Sequence, residues 1–288
     1  MKQSKSIFFA ILAAALYAIN SPFSKLLLEK LSPTMMASLL YLGAGIGMFI
    51  VGFIQRKTGK TGKEQPLTKK ELPYTLGMIF LDIAAPIFLM LGLTMTTAAN
   101  ASLLNNFEIV ATSIIALVIF KEKISKKLWC GIGLVTLASL LLSFEDMSSL
   151  SFSFGSLFVL LACVCWGFEN NCTRNLSSKN PLEIVVIKGI FSGLGSFIVA
   201  ALSHEVTFDL VYMIFALILG FVAYGLSIFF YIYAQRYLGA AKTSTYYAVS
   251  PFIGSALSLM IFRETPSMVF IIAFIIMIAG TVITSQDA

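Results

Sequence analysis

Charged residues interrupt the apolar runs of this chain at only a few positions. Asp82, Glu108, Glu169 and Lys188 each lie inside a stretch of mainly apolar residues that is long enough to cross a bilayer. A charge at the centre of a membrane helix costs about 2.5 to 3.5 kcal/mol on insertion scales, so such residues usually face a cavity or a partner. These four residues are therefore the first candidates for binding a small molecule or an ion inside a membrane.

Glu108 has polar neighbours on its own face of a predicted helix. Asn105 and Thr112 stand three residues before it and four residues after it, which is the spacing of one helical face. This face predicts the lining of a cavity. A polar seam that only holds helices together is the alternative.

A second set of polar positions lies 142 residues after the first. Tyr247 and Ser250 correspond to Asn105 and Glu108, and Pro251 follows in what we predict to be the middle of a helix. A proline there frees backbone carbonyls and permits bending, which suits a helix that moves or that contacts a ligand.

The remaining buried charges allow two interpretations. Glu169 and Lys188 could form a fixed ion pair, or they could take part in substrate or proton chemistry. Asp82, with Pro86 one turn later, favours a functional role. Aromatic residues close to these positions are candidates for stacking on a cation, namely Tyr17, Tyr41, Trp166, Tyr246 and Tyr247.

The sequence lacks the patterns of enzymes that use a metal, a nucleotide or a nucleophile. Its single histidine, His204, lies between apolar runs, and none of its four cysteines has metal-ligand spacing with a histidine. We find no glycine-rich phosphate loop and no nucleophile with a base beside it. No metal site, cofactor or enzymatic activity is predicted.

The composition requires a bilayer. Hydrophobic residues make up 58% of the 288 residues, charged residues make up 12%, and the mean hydropathy is +0.90. A chain of this kind cannot cover a water-soluble globule with polar groups. Ten apolar runs predict an all-α polytopic protein with membrane spans at 6–28, 34–54, 73–95, 98–120, 128–144, 154–173, 182–202, 208–235, 240–262 and 267–284.

Basic residues fall on alternate loops between these runs. Sixteen of the twenty lysines and arginines lie on one side if the N-terminus is placed inside. The positive-inside rule then predicts cytoplasmic N- and C-termini, a basic cytoplasmic loop at 55–72 and a location in the plasma membrane, or inner membrane, of the cell. The net charge of +6 needs no nucleic-acid partner, because these loops face anionic lipid.

The chain contains its own sequence twice. Ala98 and Ser102 match Ala240 and Ser244, and Ile119-Phe120 with Glu122 match Ile261-Phe262 with Glu264. We predict two units, at 1–144 and 154–284. Because each holds five spans, an odd number, the second must be inverted relative to the first, as in many secondary transporters.

These repeated motifs resemble the EamA-type members of the drug/metabolite transporter superfamily. The resemblance is carried by Tyr17-Ala18 and Trp166-Gly167, each followed by a cation, by Pro33 and Pro181, and by the endings Phe120 to Glu122 and Phe262 to Glu264. It implies ten helices in two inverted five-helix repeats around a central cavity. Members of that family often carry an arginine in the second span, where this chain has Tyr41, and Lys188 is a candidate substitute.

The sequence thus predicts a secondary transporter that moves a small organic metabolite by alternating access. An amino acid or a related zwitterion or cation fits the acidic midplane, with a proton as a further candidate passenger, and the resemblance implies export. The other expected partners are membrane lipids, and the chain is either a monomer or a homodimer. The alternatives are a multidrug or organic-cation exporter, a channel, a lipid scramblase and a membrane enzyme.

Overall fold

A computed structural model describes residues 2–58, 65–121, 125–146, 151–176, 178–238, 243 and 246–285. Nearly all of these residues are helical. Numbered in chain order, the described helices are α1 (Lys2–Ala18), α2 (Asn20–Leu27), α3 (Pro33–Lys57), α4 (Leu72–Met95), α5 (Ala98–Leu104), α6 (Phe107–Phe120), α7 (Lys126–Leu142), α8 (Phe154–Leu176), α9 (Pro181–Leu202), α10 (Leu210–Gly220), α11 (Ser227–Leu238), α12 (Ser250–Phe262) and α13 (Met268–Ser285).

The long helices have the length and composition of membrane spans. Within the described residues, seven stretches are long and apolar enough to cross a bilayer, and shorter apolar helices cover Ser250–Phe262 and Met268–Thr284. The protein is therefore a helical, multi-pass membrane protein. The number of ten spans stays a prediction, because these lengths do not settle it.

Two helices at equivalent positions begin in the same way. Ser32 accepts a hydrogen bond from the Met35 amide and Pro33 follows it, while Asn180 accepts from the Leu182 amide and Pro181 follows it. A capping side chain satisfies a free amide of the first turn, and proline fits there because its missing N–H has no intrahelical partner to lose. The second and seventh predicted spans therefore start where the sequence predicted.

The helices α3 and α9 cross in close backbone contact. A Cβ atom on Gly45 would lie 2.6 Å from the Ile190 amide nitrogen, and one on Gly189 would collide with the backbone of Gly45. Gly52 faces Leu182 further along. As residue numbers rise along α3, those of its contacts on α9 fall, so the two helices run antiparallel, which is the relation that an inverted repeat requires of equivalent helices.

The two halves of the chain exchange their first helices. The helix α8, which opens the second half, packs on α4 and α6 of the first half, whereas α1 packs on α11 and α12 of the second. The helix α7 packs on α13, and Gly131 contacts Thr284 there. Each half therefore contributes helices to both sides of the bundle.

Several predicted spans are interrupted near their middle. The helix break at Ile19 has a covalent cause, because Pro22 has no N–H to donate to the Ala18 carbonyl. The run 98–120 is divided at Asn105 and Asn106, where the Asn106 amide donates to the Leu103 carbonyl three residues back instead of four. This break differs from the single continuous helix that we predicted.

Pro251 does not lie in the middle of a described helix, which corrects the prediction. It occupies the first turn of α12, after turn residues at 248 and 249. A proline is accommodated at a helix start but removes a hydrogen bond from a helix interior, so the helix begins anew at this point. By the repeat distance of 142 residues, this break lies within one or two residues of the equivalent of the break at Asn105 and Asn106.

Two further local features interrupt the regular helices. Residues Phe221–Leu226, between α10 and α11, form a π-helical segment, a form often found at functional sites. Residues Phe144–Asp146 and Ser151–Phe152 form a short antiparallel strand pair after α7, so the fold is not helical throughout as predicted.

Candidate functional site

Lys188 lies between two carboxylates in the interior of the helix bundle. Its ammonium on α9 is 3.0 Å from Asp82 Oδ2 on α4 and 2.9 Å from Glu169 Oε1 on α8. All three residues are buried, and the Asp82 side chain is fully inaccessible. We call these three residues the charge cluster. It resolves the open interpretation of Glu169 and Lys188 at the level of geometry, because the pair exists and Asp82 belongs to it.

Neutral groups complete the surroundings of the two acids. The Tyr41 hydroxyl donates to Asp82 Oδ1 over 2.7 Å, and the Thr173 hydroxyl donates to Glu169. Tyr41, which replaces the arginine of related chains, is thus fully buried and bound to an acid. Buried charges are tolerated when they are paired and hydrogen-bonded, so this cluster satisfies most of its own demands.

Glu108 lies in a different environment, with a neutral amide as its partner. Asn170 on α8 donates to Glu108 Oε1 over 2.6 Å and also lies 3.3 Å from the Thr112 hydroxyl. The neighbouring Asn171 donates to the Thr112 backbone carbonyl. Glu108 and Thr112 therefore share one face, as predicted, and that face packs on α8. Both Glu108 and Asn170 are half-buried.

Asn105 does not share the contacts of Glu108, because the helix break separates them. It is buried, and the thiol of Cys163 approaches its backbone and side-chain oxygens at 3.9 and 4.0 Å. The predicted continuous face of Asn105, Glu108 and Thr112 is therefore reduced to its last two members.

Five tyrosines form a continuous row of ring contacts through the bundle. The centroid distances are 5.1 Å between Tyr41 and Tyr224, 5.7 Å between Tyr224 and Tyr17, 6.0 Å between Tyr17 and Tyr247, and 5.0 Å between Tyr247 and Tyr231. We call this row the tyrosine chain. Its first member contacts Asp82, and Glu108 is near enough to Tyr17, Tyr224 and Tyr247 to act on them electrostatically.

The tyrosine chain changes character along its length. Tyr41 and Tyr224 are fully buried, whereas Tyr17 and Tyr247 are half-buried, like Glu108. Aromatic faces attract cations, and a carboxylate beside them strengthens the attraction. The half-buried end of the chain, with Glu108, is therefore able to bind a positively charged group.

The other predicted residues lie at different places around these groups. Trp166 is buried beside Tyr41. Ser250 is buried as well, and its hydroxyl makes no hydrogen bond within the described structure. Tyr246 is half-buried and has no ring contact among the described residues.

Sequence reasoning passed over three residues that contribute to the site. Tyr224 links two tyrosine pairs and accepts a hydrogen bond from the Asn20 amide over 3.1 Å, and Asn170 holds Glu108. A signal was present for Tyr224, because it is the repeat equivalent of Asp82, 142 residues away. Asn20 gave no such signal, because polar residues within the first span do not stand out from its helix-breaking segment.

A metal centre finds no ligands here. Among the described residues, no group of three or more His, Cys, Asp or Glu side chains could hold a metal ion.

Comparison with known proteins decides what this arrangement belongs to. A model of the EamA-like transporter family matches residues 4–144 and again residues 153–286. The chain belongs to this family. Two matches of nearly equal length confirm the duplication that the sequence predicted, and the membership shows that the protein is a transporter.

Two relatives are also described as transporters. An uncharacterized transporter of Methanothermobacter thermautotrophicus is 26% identical, with the alignment covering 95% of this chain and 84% of the relative. The uncharacterized transporter YyaM of Bacillus subtilis is 25% identical over 77% of this chain and 76% of its own.

A solved structure shares the fold. A protein known from its crystal structure superposes with a TM-score of 0.71 over 99% of this chain and 97% of its own, at 15% sequence identity. At that identity the similarity concerns the fold alone. The EamA-type transporter studied here therefore has the architecture of at least one experimentally determined protein.

Proposed function

We propose that the protein is a secondary-active transporter of a small organic metabolite that carries a positively charged amine. One observation carries this proposal. Among the buried acids of the bundle, Asp82 and Glu169 are paired with Lys188, whereas the hydrogen-bond partner of Glu108 is a neutral amide. A half-buried carboxylate without a cation, beside aromatic rings, is a suitable binding partner for an amine.

The charge cluster supports a second passenger. Two carboxylates and one ammonium carry an excess of one negative charge, and Glu108 adds another if it is ionised. A proton is the smallest ion that can neutralise such an excess, and carboxylates exchange protons readily. We therefore propose that protons are coupled to substrate movement at Glu108 or Asp82.

Alternating access would use the interruptions of the helices. The breaks at Asn105 and Asn106 and before Pro251 lie at nearly equivalent positions of the two halves, where discontinuous helices commonly form a transport site. Because α1 and α8 pack on the opposite halves, we propose that the moving units are the packed groups α4, α6 with α8 and α11, α12 with α1, rather than the halves as continuous segments of chain.

The proposed orientation places both termini in the cytoplasm of a cell whose plasma, or inner, membrane holds the protein. It rests on the distribution of basic residues over alternate loops. Apolar side chains such as Phe215 and Ile275, which are 57% and 61% exposed, would then contact lipid. Export is the proposed direction. A monomer and a homodimer both fit these features.

Counterflow in proteoliposomes is the experiment that tests the transport class. Vesicles loaded with an unlabelled amine or amino acid should accumulate the same labelled compound from outside. A channel or a scramblase would equilibrate the compound without accumulation, and an enzyme would alter it covalently. A panel of amino acids, polyamines and cationic dyes separates a metabolite carrier from a multidrug exporter, since a multidrug exporter would accept the dyes as well.

A further inference from the structure

A cavity of about 920 Å³ opens at the end of the bundle where α4 and α7 end and α5 begins. We call it the vestibule. Its wall includes Lys25, Thr96, Asn100, Glu264, Thr265 and Phe270. Along the fourth predicted span, Asn100 precedes Glu108 by eight residues, which is about 12 Å of helix. The vestibule is therefore separate from the Glu108 site and lies more than two turns from it.

Lys25 presents a fixed positive charge to the vestibule. Its ammonium donates to the backbone carbonyls of Leu93 and Thr96, the latter over 3.0 Å, at the C-terminal end of α4. These carbonyls carry the partial negative charge of the helix end, and a cation there is stabilised. An ammonium has three N–H donors, so one donor remains for a ligand.

Glu264 presents a negative charge to the same vestibule. It follows the left-handed residue Arg263 that ends α12, and its side chain is half-buried. Within the described structure, no ion pair or side-chain hydrogen bond engages its carboxylate. Glu264 and Lys25 interact electrostatically, yet they are too far apart to form an ion pair.

An unpaired acid and an incompletely satisfied base that face one cavity are the complement of a zwitterion. We propose that the vestibule binds a small amino acid-like zwitterion, with its ammonium on Glu264 and its carboxylate on Lys25. Two opposite charges of the ligand would complete two opposite charges of the protein, while a plain cation or anion would satisfy one and be repelled by the other. Asn100 does not compete for the ligand, because its amide already donates to Thr96, Leu142 and Ser156.

This second site deepens the proposed function, on which it rests for its place in transport, since it names the substrate class. The test uses no transport measurement, so the two proposals can fail separately. Cysteine is introduced by Thr265→Cys, at an exposed residue of the vestibule wall, and its reaction with N-ethylmaleimide is followed in the purified full-length chain. The unsubstituted chain gives the background from the four native cysteines.

Three probes are compared for their ability to slow this reaction: glycine, methylammonium and acetate. Glycine should protect at concentrations roughly tenfold lower than either single-charge probe, because it makes two charged contacts instead of one. Glu264→Gln should abolish protection by glycine and methylammonium, and Lys25→Gln should abolish protection by glycine and acetate. Glu29→Gln and Lys30→Gln make the same charge changes at exposed residues outside the vestibule and should change nothing.

Each other outcome overturns the proposal. Protection by methylammonium as strong as that by glycine would mean a cation site, and no protection by any probe would mean no site. Lys25→Gln removes the contacts at the end of α4 and could unfold the protein. Glu264→Gln removes no such contact, so an unchanged glycine effect in that variant alone is sufficient to reject the assignment.

Discussion

The Lys188 ammonium lies 3.0 Å from the Asp82 carboxylate and thereby joins a helix of the second half of the chain to a helix of the first. Glu169, on a third helix, holds the other side of the same ammonium. Three helices of this EamA-type transporter are therefore connected at one buried point. The stability of the bundle and any movement of these helices must both depend on the state of this point.

Removal of Lys188 should destabilise the protein strongly. Lys188→Met leaves two buried carboxylates without a cation, and breaking a buried ion pair in this way costs about 3 to 5 kcal/mol. Thermal unfolding in detergent should show the loss. The combination Lys188→Met with Asp82→Asn removes one of the two stranded charges and should recover part of the stability, whereas a purely functional lysine would show no such recovery.

Glu108 should be required for coupling but not for folding. Glu108→Gln keeps the shape and the acceptor oxygen for Asn170 while it removes the charge. We expect a folded, inserted protein that has lost pH-driven transport in proteoliposomes. Asp82→Asn is measured in parallel to learn whether the two acids share the task. Transport of Glu108→Gln at the original rate and with the original pH dependence would move the site to Glu169 and Lys188.

Tyr17 should bind the substrate cation through its ring rather than its hydroxyl. Tyr17→Phe keeps the aromatic face between Tyr224 and Tyr247, whereas Tyr17→Leu removes it. A cation–π contact contributes about 0.5 to 2 kcal/mol, so the substrate concentration for half-maximal counterflow should rise about 2- to 30-fold in Tyr17→Leu only. Equal values for the two variants would argue against stacking at this residue.

The crossing of α3 and α9 should tolerate no side chain at Gly189. A Cβ atom there would collide with the backbone of Gly45 and Tyr41, which cannot move aside as a flexible side chain can. Gly189→Ala should therefore lower the stability by about 1 to 3 kcal/mol, as measured by thermal unfolding. Gly133→Ala is the matched control, since a Cβ atom at Gly133 meets no atom within 4 Å.

The proposed topology predicts opposite accessibility at two described turns. Thr58 follows α3 and His204 follows α9. With cytoplasmic termini, a cysteine at Thr58→Cys should react only from the cytoplasmic side, and one at His204→Cys only from outside. A membrane-impermeant maleimide on intact and on opened cells distinguishes them, and labelling of both from one side would contradict the orientation.

The sequence by itself determined the class of the protein and much of its secondary structure. Apolar runs of membrane length can only be helices in a bilayer, because every backbone polar group must be satisfied within the segment. Pro33 and Pro181 began their helices as predicted, because the effect of proline on a helix is local. The duplication was legible as well, since Ala98 to Glu122 and Ala240 to Glu264 are matched residue by residue.

Only the tertiary structure decided which residues meet. Nothing along the chain indicates that Lys188 reaches Asp82, 106 positions away, or that Tyr17 stands between Tyr224 and Tyr247. The breaks of the helices at Asn105 and before Pro251 were also missed or misplaced, because apolar periodicity continues through them. Such contacts depend on how helices cross, and the crossing is set by many small packing contacts, such as those of Gly45 and Gly189, that act together in three dimensions.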